Sequence, residues 1–185
     1  MLALAELKPS DVVFDMGCGD ASILIFATQQ FGIMNAVGFE NMSQRIGLAR
    51  KNIAKHGLSK RIFIEKDMYD ADLSKADVIL DTMPESEDDL KDLYSKPNIR
   101  AGTRLVKHDL PLLGFLPDKV DYPFYLMTFP VTKAKDKNQW ASAILERKNV
   151  TPKDVWHELY YYSYQRAYSK SQLKSFGRIL SCRLS

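Results

Sequence analysis

The sequence predicts an α/β fold: a seven-stranded sheet, mostly parallel, that ends in an antiparallel hairpin and carries helices on both faces. Three observations predict it. Short apolar runs alternate with helix-spaced segments from residue 11 to residue 110; a glycine turn separates the first run from the first helix; and two strand-like runs then follow each other with no long helix between them.

Each element has a local reason. DVVFDMG (11 to 17) reads as a short buried strand running into a glycine turn, and ASILIFATQQF (21 to 31) has helical spacing at Ile23, Phe26 and Ala27. NAVGFE (35 to 40) is the second strand. The next segment places Ile46, Ala49, Ile53 and His56 at helical spacing, with Gly57 as the stop signal. RIFIEKD (61 to 67) and ADVILD (76 to 81) are the third and fourth strands. Pro84 followed by Glu85, Glu87, Asp88 and Asp89 suits a first helical turn, where negative charge meets the positive end of the dipole. GTRLVKHDL (102 to 110) is the fifth strand. FYLMTFPVT (124 to 132) and QWASAILER (139 to 147), joined by KAKDKN, are predicted to form the terminal hairpin.

Composition narrows the function classes. The chain has 185 residues, 26 Lys+Arg, 23 Asp+Glu and a net charge of +3, which suits one folded domain and identifies no nucleic-acid binder by itself. No apolar run approaches the roughly 18 to 20 residues that cross a bilayer. Cys18 and Cys182 have no metal-type spacing, so no metal is expected and a reducing, cytoplasmic setting suits them. Residues 148 to 185 carry seven Lys+Arg against Asp154 and Glu158, together with Tyr160, Tyr161, Tyr162, Tyr164 and Tyr168. The expected organisation is therefore a near-neutral domain over 1 to 147 and a basic, tyrosine-rich extension over 148 to 185. Thr151, Pro152 and Asp154 predict a helix start there, and aromatics among cations would suit RNA.

Ligands of an open parallel sheet settle at the carboxyl ends of its strands. The first strand ends in Asp15-Met16-Gly17-Cys18-Gly19-Asp20, where two glycines let the backbone turn tightly beside a ligand. The second ends in Glu40-Asn41, 25 residues after Asp15 at its glutamate, a carboxylate able to accept from both hydroxyls of a ribose. The third ends in Asp67-Met68, an acid for an adenine amino group beside an apolar cover for the ring. A dinucleotide turn needs a third glycine next to a pyrophosphate. Asp20-Ala21 stands there instead, and an aspartate repels phosphate but tolerates a cation.

These residues resemble a known family. V-V-F-D-M-G-C-G-D looks like the first motif of the class I, seven-β-strand, S-adenosylmethionine-dependent methyltransferases, and A-V-G-F-E like the ribose-binding acid that follows it. The blocks M-L-A-L-A-E-L-K-P-S-D-V-V-F-D-M-G-C-G-D and A-G-T-R-L-V-K-H-D-L-P-L-L-G-F-L-P-D-K-V, with Gly114, Phe115 and Pro117, are similar to the small archaeal protein-lysine methyltransferases. Those are relatives of the histone-lysine and ATP-synthase ring-subunit lysine methyltransferases. The resemblance covers about residues 1 to 147. It implies a Rossmann-like methyltransferase sheet, S-adenosylmethionine as cofactor with S-adenosylhomocysteine as product, and cofactor contacts from Asp15, Gly17, Cys18, Gly19, Asp20, Glu40, Asn41, Asp67 and Met68. The family's turn reads G-D-G, so Ala21 replaces a glycine, which is acceptable if its dihedrals are those of a right-handed helix. Family members also carry a segment before the Met1-Leu2 helix that helps close the cofactor pocket, so the resemblance implies either a more exposed cofactor or a misassigned start of the sequence.

Methyl transfer from a sulfonium is an in-line displacement that needs alignment and exclusion of water, not a covalent nucleophile. A lysine acceptor, with a solution pKa near about 10.4, must first lose its proton, which a narrow apolar channel beside a cation favours. Asp81-Thr82-Met83-Pro84-Glu85 is placed to form that channel, with Asp81 or Glu85 accepting from the amine and Thr82, Met83, Pro84 and His108 lining it; Asp109 follows His108 as a candidate partner. D-T-M-P-E lacks the aromatic that stacks on a planar amide or base acceptor. The leading expectation is a methyltransferase acting on accessible protein lysines. An RNA or small-molecule methyltransferase, with the tail holding RNA, and a non-catalytic adenosyl-ligand binder stand as alternatives.

Overall fold

The computed structural model describes residues 1–83, 93, 94, 98–108, 111, 112, 114–136, 139, 140 and 143. Pro84, Glu85, Asp109 and the extension from 148 onward lie outside the described residues.

Five strands run parallel. They are β1 (Val12–Met16), β2 (Asn35–Phe39), β3 (Ile62–Glu65), β4 (Val78–Asp81) and β5 (Arg104–His108), ordered β3-β2-β1-β4-β5. The sheet continues antiparallel through β8 (Phe124–Thr128) to β7 (Lys119–Asp121), seven strands in all. β6 (Phe115–Leu116) and β9 (Thr132–Lys133) make a separate two-stranded sheet. This is the predicted seven-stranded, mostly parallel sheet with an antiparallel end.

The hairpin at that end differs from the expected one. Phe124–Thr128 pairs with the Lys119–Asp121 strand before it rather than with 139 to 147, and Gln139 and Trp140 are helical. The cause is local: the Asp136 carboxylate accepts from the Gln139 amide at 2.8 Å while the Gln139 side chain accepts from the Lys135 amide at 2.7 Å. That reciprocal pair starts a helical turn in the manner of a capping box.

Central strands buried on both faces read as continuous apolar runs. Val13, Val78, Leu80 and Val106 face one way, and α1 (Ser22–Phe31) and α2 (Ser43–Lys55) cover them with Leu24, Ile25, Ala49 and Ile53. Phe14, Met16, Ile79 and Leu105 face the other way, under residues 68 to 76 and the helical Leu93 and Tyr94. Each such side chain contributes roughly 1.5–3 kcal/mol on burial. The phase of α1 differs from the expected one: Phe26 is exposed, and Leu24 and Ile25 take the inward positions. In α2, Ala49 and Ile53 point inward as expected, but His56 is exposed.

Residues 1 to 6 form a turn rather than a regular helix, closed by Ala5 N donating to Met1 O at 3.0 Å. Arg104 on β5 holds it to the sheet, donating to the Ala5 and Glu6 carbonyls at 2.6 Å each and to Asp11 at 2.7 Å. No described helix is long and apolar enough to cross a membrane.

Candidate functional site

The parallel strands bring their carboxyl ends to one edge of the sheet, so the residues that end them share a neighbourhood. β1 passes into Gly17 and Gly19, with φ of 77° and 57°, values that glycine adopts without steric cost. The Gly17 and Cys18 amides both donate to the Phe39 carbonyl at 2.9 Å, which ties the turn to the last residue of β2. From α2, Asn52 donates to the Asp20 carbonyl at 3.1 Å. A Cβ on Gly17 would lie 2.0 Å from Met83 Sδ, and one on Gly38 would lie 2.6 Å from Cys18 Sγ. Gly38 is thus required by the close approach of Cys18 and Ile64, and Gly17 by its positive φ, with Met83 packed against it.

Ala21 departs from expectation. Its φ of 65° and ψ of 17° are left-handed, not right-handed helical. The helix start accordingly carries strain of about 1–2 kcal/mol that the family's glycine would not. Its methyl is fully buried among the residues under α1, which explains why an apolar residue can occupy the place.

Four carboxylates surround the turn, each held differently. Asp20 is partly exposed and accepts from the Ser22 amide at 3.0 Å; hydrogen bonds from Ser22 keep its carboxyl below the ordinary range. Glu40 follows β2, buried at 6% exposure; its Oε1 accepts from the Met42 amide at 2.9 Å and its Oε2 lies 3.8 Å from Arg45. Asp15 is fully buried, and neither of its oxygens has a hydrogen-bond partner among the described residues. Burial, and secondarily the charge of Asp81, raise its pKa to about 7. Cys18 lies among these acids: burial, then Asp15, Glu40 and Asp20, push its thiol up to about 12. A thiol so held is no nucleophile at neutral pH.

Asp81 ends β4 with no exposure. Its Oδ1 accepts from the Met83 amide at 2.9 Å, and its Oδ2 accepts from both Tyr94 Oη and Lys107 Nζ at 2.7 Å. Thr82 and Met83 follow, half-buried. His108 ends β5, half-buried, with its ring 5.1 Å from that of Phe124. Asn41 and Asp67 are exposed; Asp67 lies beyond the end of β3 and accepts from the Tyr69 amide at 2.9 Å, while Met68 is buried in the second core. Lys107 and Tyr94 are the site residues that the sequence reading misses. The signal for Lys107 is its place two residues after the inward-facing Leu105 in a strand buried on both faces.

A family model for a methyltransferase domain matches residues 7–106, more than half of the chain. The chain belongs to the class I S-adenosylmethionine-dependent methyltransferases. This methyltransferase is 33% identical over 121 residues to a protein-lysine N-methyltransferase of Saccharolobus islandicus (strain REY15A), a match covering 65% of this chain and 75% of that one. It is 32% identical over 74 residues to a ribosomal protein L11 methyltransferase of Caldanaerobacter subterraneus subsp. tengcongensis, covering 40% of this chain and 24% of that one. Among solved structures, an RNA methyltransferase from Salinibacter ruber in complex with S-adenosyl-L-homocysteine matches with a TM-score of 0.65 and 30% identity, over 73% of this chain and 91% of that one. A precorrin-6Y C5,15-methyltransferase from Geobacter metallireducens, at 18% identity and TM-score 0.50 over 60% of each chain, shares the fold.

The methyltransferase's own residues fit its family's cofactor. A buried carboxyl without a hydrogen-bond partner among the described residues, Asp15, suits a cation such as the cofactor's ammonium, whereas a phosphate ligand would meet the acids Asp15, Asp20 and Glu40. The close backbone turn at Gly17 leaves no room for a side chain beside Met83.

Proposed function

We propose that the chain transfers the methyl group of S-adenosylmethionine to the ε-amino group of lysine side chains in proteins. The observation that carries this reading is the 33% identity to a protein-lysine N-methyltransferase across three quarters of that protein. The D-T-M-P stretch after β4 agrees with it, since it offers no aromatic for a planar acceptor.

When bound, the cofactor supplies an electrophilic methyl on a cationic sulfur. The chain's residues bind and align the reactants. In this reading Asp15 faces the ammonium, Glu40 accepts from the ribose hydroxyls through Oε2, and the Gly17 to Gly19 backbone lies against the adenosyl group, with Cys18 contributing its backbone and Asp20 and Asn41 flanking it. Asp67 and Met68 serve the adenine. Thr82 and Met83 line the acceptor side with His108; Pro84 as a further lining residue and Glu85 as an alternative acceptor to Asp81 are carried by the sequence alone. Among the described residues the Asp81 carboxylate accepts from Met83, Tyr94 and Lys107, and this reading gives the fourth lone pair, on Oδ1, to the incoming amine. Exclusion of water favours the neutral amine, the form that attacks.

The test is transfer of labelled methyl into fractionated cell extract by the wild-type chain and by Glu40→Ala. Label in protein, recovered as methyl-lysine after hydrolysis, resistant to nuclease and absent with the variant, is the expected result. Label released by nuclease would replace this reading with RNA methylation, the second reading, which the 30% identity to the RNA methyltransferase favours.

A further inference from the structure

The outer edge of the sheet carries a surface that neither cofactor binding nor methyl transfer uses. β3 is an edge strand, paired with β2 alone among the described residues. Between β3 and α2 runs a groove of about 420 Å³, lined by Arg50, Ile53, Ile62, Phe63, Ile64 and Glu65 among others. Ile53 and Ile62 are buried and form its floor, while Phe63 stands 52% exposed. On the α2 side Arg50 donates from Nη2 to the Ile64 carbonyl at 3.4 Å, which keeps a positive charge at the wall of the groove. Edge strands are ordinarily protected by charge, and the cations alone would need no further reading. An exposed phenylalanine beside an apolar floor does the opposite of protecting an edge, and marks a contact surface.

The charge of this surface selects its occupant. Residues 43 to 66 hold seven Lys+Arg against Glu65 alone, whereas the whole chain carries +3. A second copy meeting this face across a two-fold axis would bring like charges together, and the stretch from 148 onward is itself rich in Lys and Arg. The occupant that complements the surface is therefore acidic. A single exposed ring, Phe63, offers no succession of stacking platforms for the bases of an RNA strand, whereas an isoleucine floor accepts aliphatic side chains.

We propose that the groove between α2 and β3 is a docking site for an acidic, leucine- or isoleucine-containing extended segment of the protein substrate. Its apolar side chains meet Ile53, Ile62 and Phe63, and its carboxylates meet Arg50 and the exposed Lys51 and Lys60. The inference rests on the protein-lysine reading and adds to it a class of substrate. β3 and β4 are separated by β2 and β1, so the groove lies roughly 15 Å along the sheet from the strand that ends in Asp81. In an extended substrate the acidic segment therefore stands at least about four residues from the acceptor lysine.

The test uses a fluorescein-labelled peptide alternating glutamate with leucine, its counterpart alternating lysine with leucine, and a labelled oligouridylate, each titrated by anisotropy into the wild type, Lys51→Glu/Lys60→Glu and Phe63→Ser. All three substituted positions are exposed, and affinity for S-adenosylhomocysteine reports that each variant keeps its fold and its cofactor pocket. The wild type is expected to bind the glutamate peptide, more weakly as salt rises, and to ignore the lysine peptide. Charge reversal is expected to weaken glutamate-peptide binding at least about fivefold at low salt, and Phe63→Ser at least about threefold. S-adenosylhomocysteine affinity is expected to stay at the wild-type value in both. In transfer of labelled methyl to the proteins of a cell extract, excess unlabelled glutamate peptide is expected to slow the wild type and leave the charge-reversed variant unaffected. Equal affinity of the wild type and both variants for the peptide overturns the proposal, as does tighter binding of the oligouridylate at the same residues, which would make this an RNA surface. A wild type that methylates protein but binds no glutamate peptide removes this inference and leaves the lysine reading intact. A wild type that binds the peptide but labels no protein removes the lysine reading, and with it the substrate role of the groove.

Discussion

Asp81 and Lys107 face each other across β4 and β5 as a buried ion pair, Nζ to Oδ2 at 2.7 Å, with side-chain exposures of 0% and 4%. A pair so deep gains little net stability over two apolar residues, because both ions give up their hydration. Its value lies in what it fixes: the same carboxylate caps the Met83 amide and accepts from Tyr94, so one ion pair sets the conformation of the end of β4, where the acceptor side is proposed.

Breaking that pair from one side leaves an uncompensated buried charge. Lys107→Met is expected to cost about 3–5 kcal/mol at neutral pH, while Asp81→Asn/Lys107→Met recovers most of the loss. Urea denaturation monitored by tryptophan fluorescence measures both. A double variant no more stable than the single one would show that packing of the lysine stem, and not its charge, matters.

Asp15 makes the cofactor-free protein pH-dependent with a sign opposite to that of a salt-bridged acid. Its pKa is raised from 3.8 to about 7, so the folded state holds a proton that the unfolded state releases. The contribution is fully favourable below the unfolded value and is lost as pH rises through about 7. In Asp15→Asn the fall in melting temperature between about pH 5 and pH 8 should be smaller than in the wild type, and affinity for S-adenosylhomocysteine should drop by at least about tenfold. Parallel pH profiles of the two proteins would show that Asp15 ionises normally.

The parallel half of the sheet is legible in the sequence because each apolar run stops at an acid or a glycine, and those stops are also the candidate site: Asp15, Gly17, Glu40 and Asp81. The antiparallel end is harder. β7 is three residues with no buried member, too short for an alternation to register, and the apolar run at 139 to 147 hides the Asp136 and Gln139 cap that turns its start helical. Tyr94 reaches Asp81 across a crossover, 13 residues downstream, a contact that no periodicity encodes. Lys107 is different, since a charge on an inward position of a doubly buried strand demands a partner, and Asp81 ends the neighbouring run.

Gly17 carries two constraints that a single substitution violates together. Gly17→Ala puts a Cβ into a left-handed position, at a cost of about 1–2 kcal/mol, and drives Met83 out of its place beside the turn. Methyl-transfer activity should be lost with a stability change no larger than that. Adding Met83→Ala should relieve the steric conflict without restoring the turn, so stability returns in part and activity does not. Full stability in Gly17→Ala by thermal melting would mean that the turn is not held in the left-handed form.

Ala21 sets opposing effects against each other at one atom. Changing it to glycine relieves left-handed strain of about 1–2 kcal/mol, but removes a buried methyl worth about 0.8 kcal/mol and adds unfolded-state freedom worth about 0.5–1 kcal/mol. Ala21→Gly should therefore leave stability within about 1 kcal/mol of the wild type. Ala21→Val has no such offset, because a branched side chain is both strained at positive φ and too large for a fully buried site beside Leu24, and it should cost upwards of about 2 kcal/mol. Urea denaturation of the two variants measures both changes. A valine tolerated as well as the glycine would show that the first residue of this helix relaxes to right-handed dihedrals, as a G-D-A turn read on its sequence alone would have it.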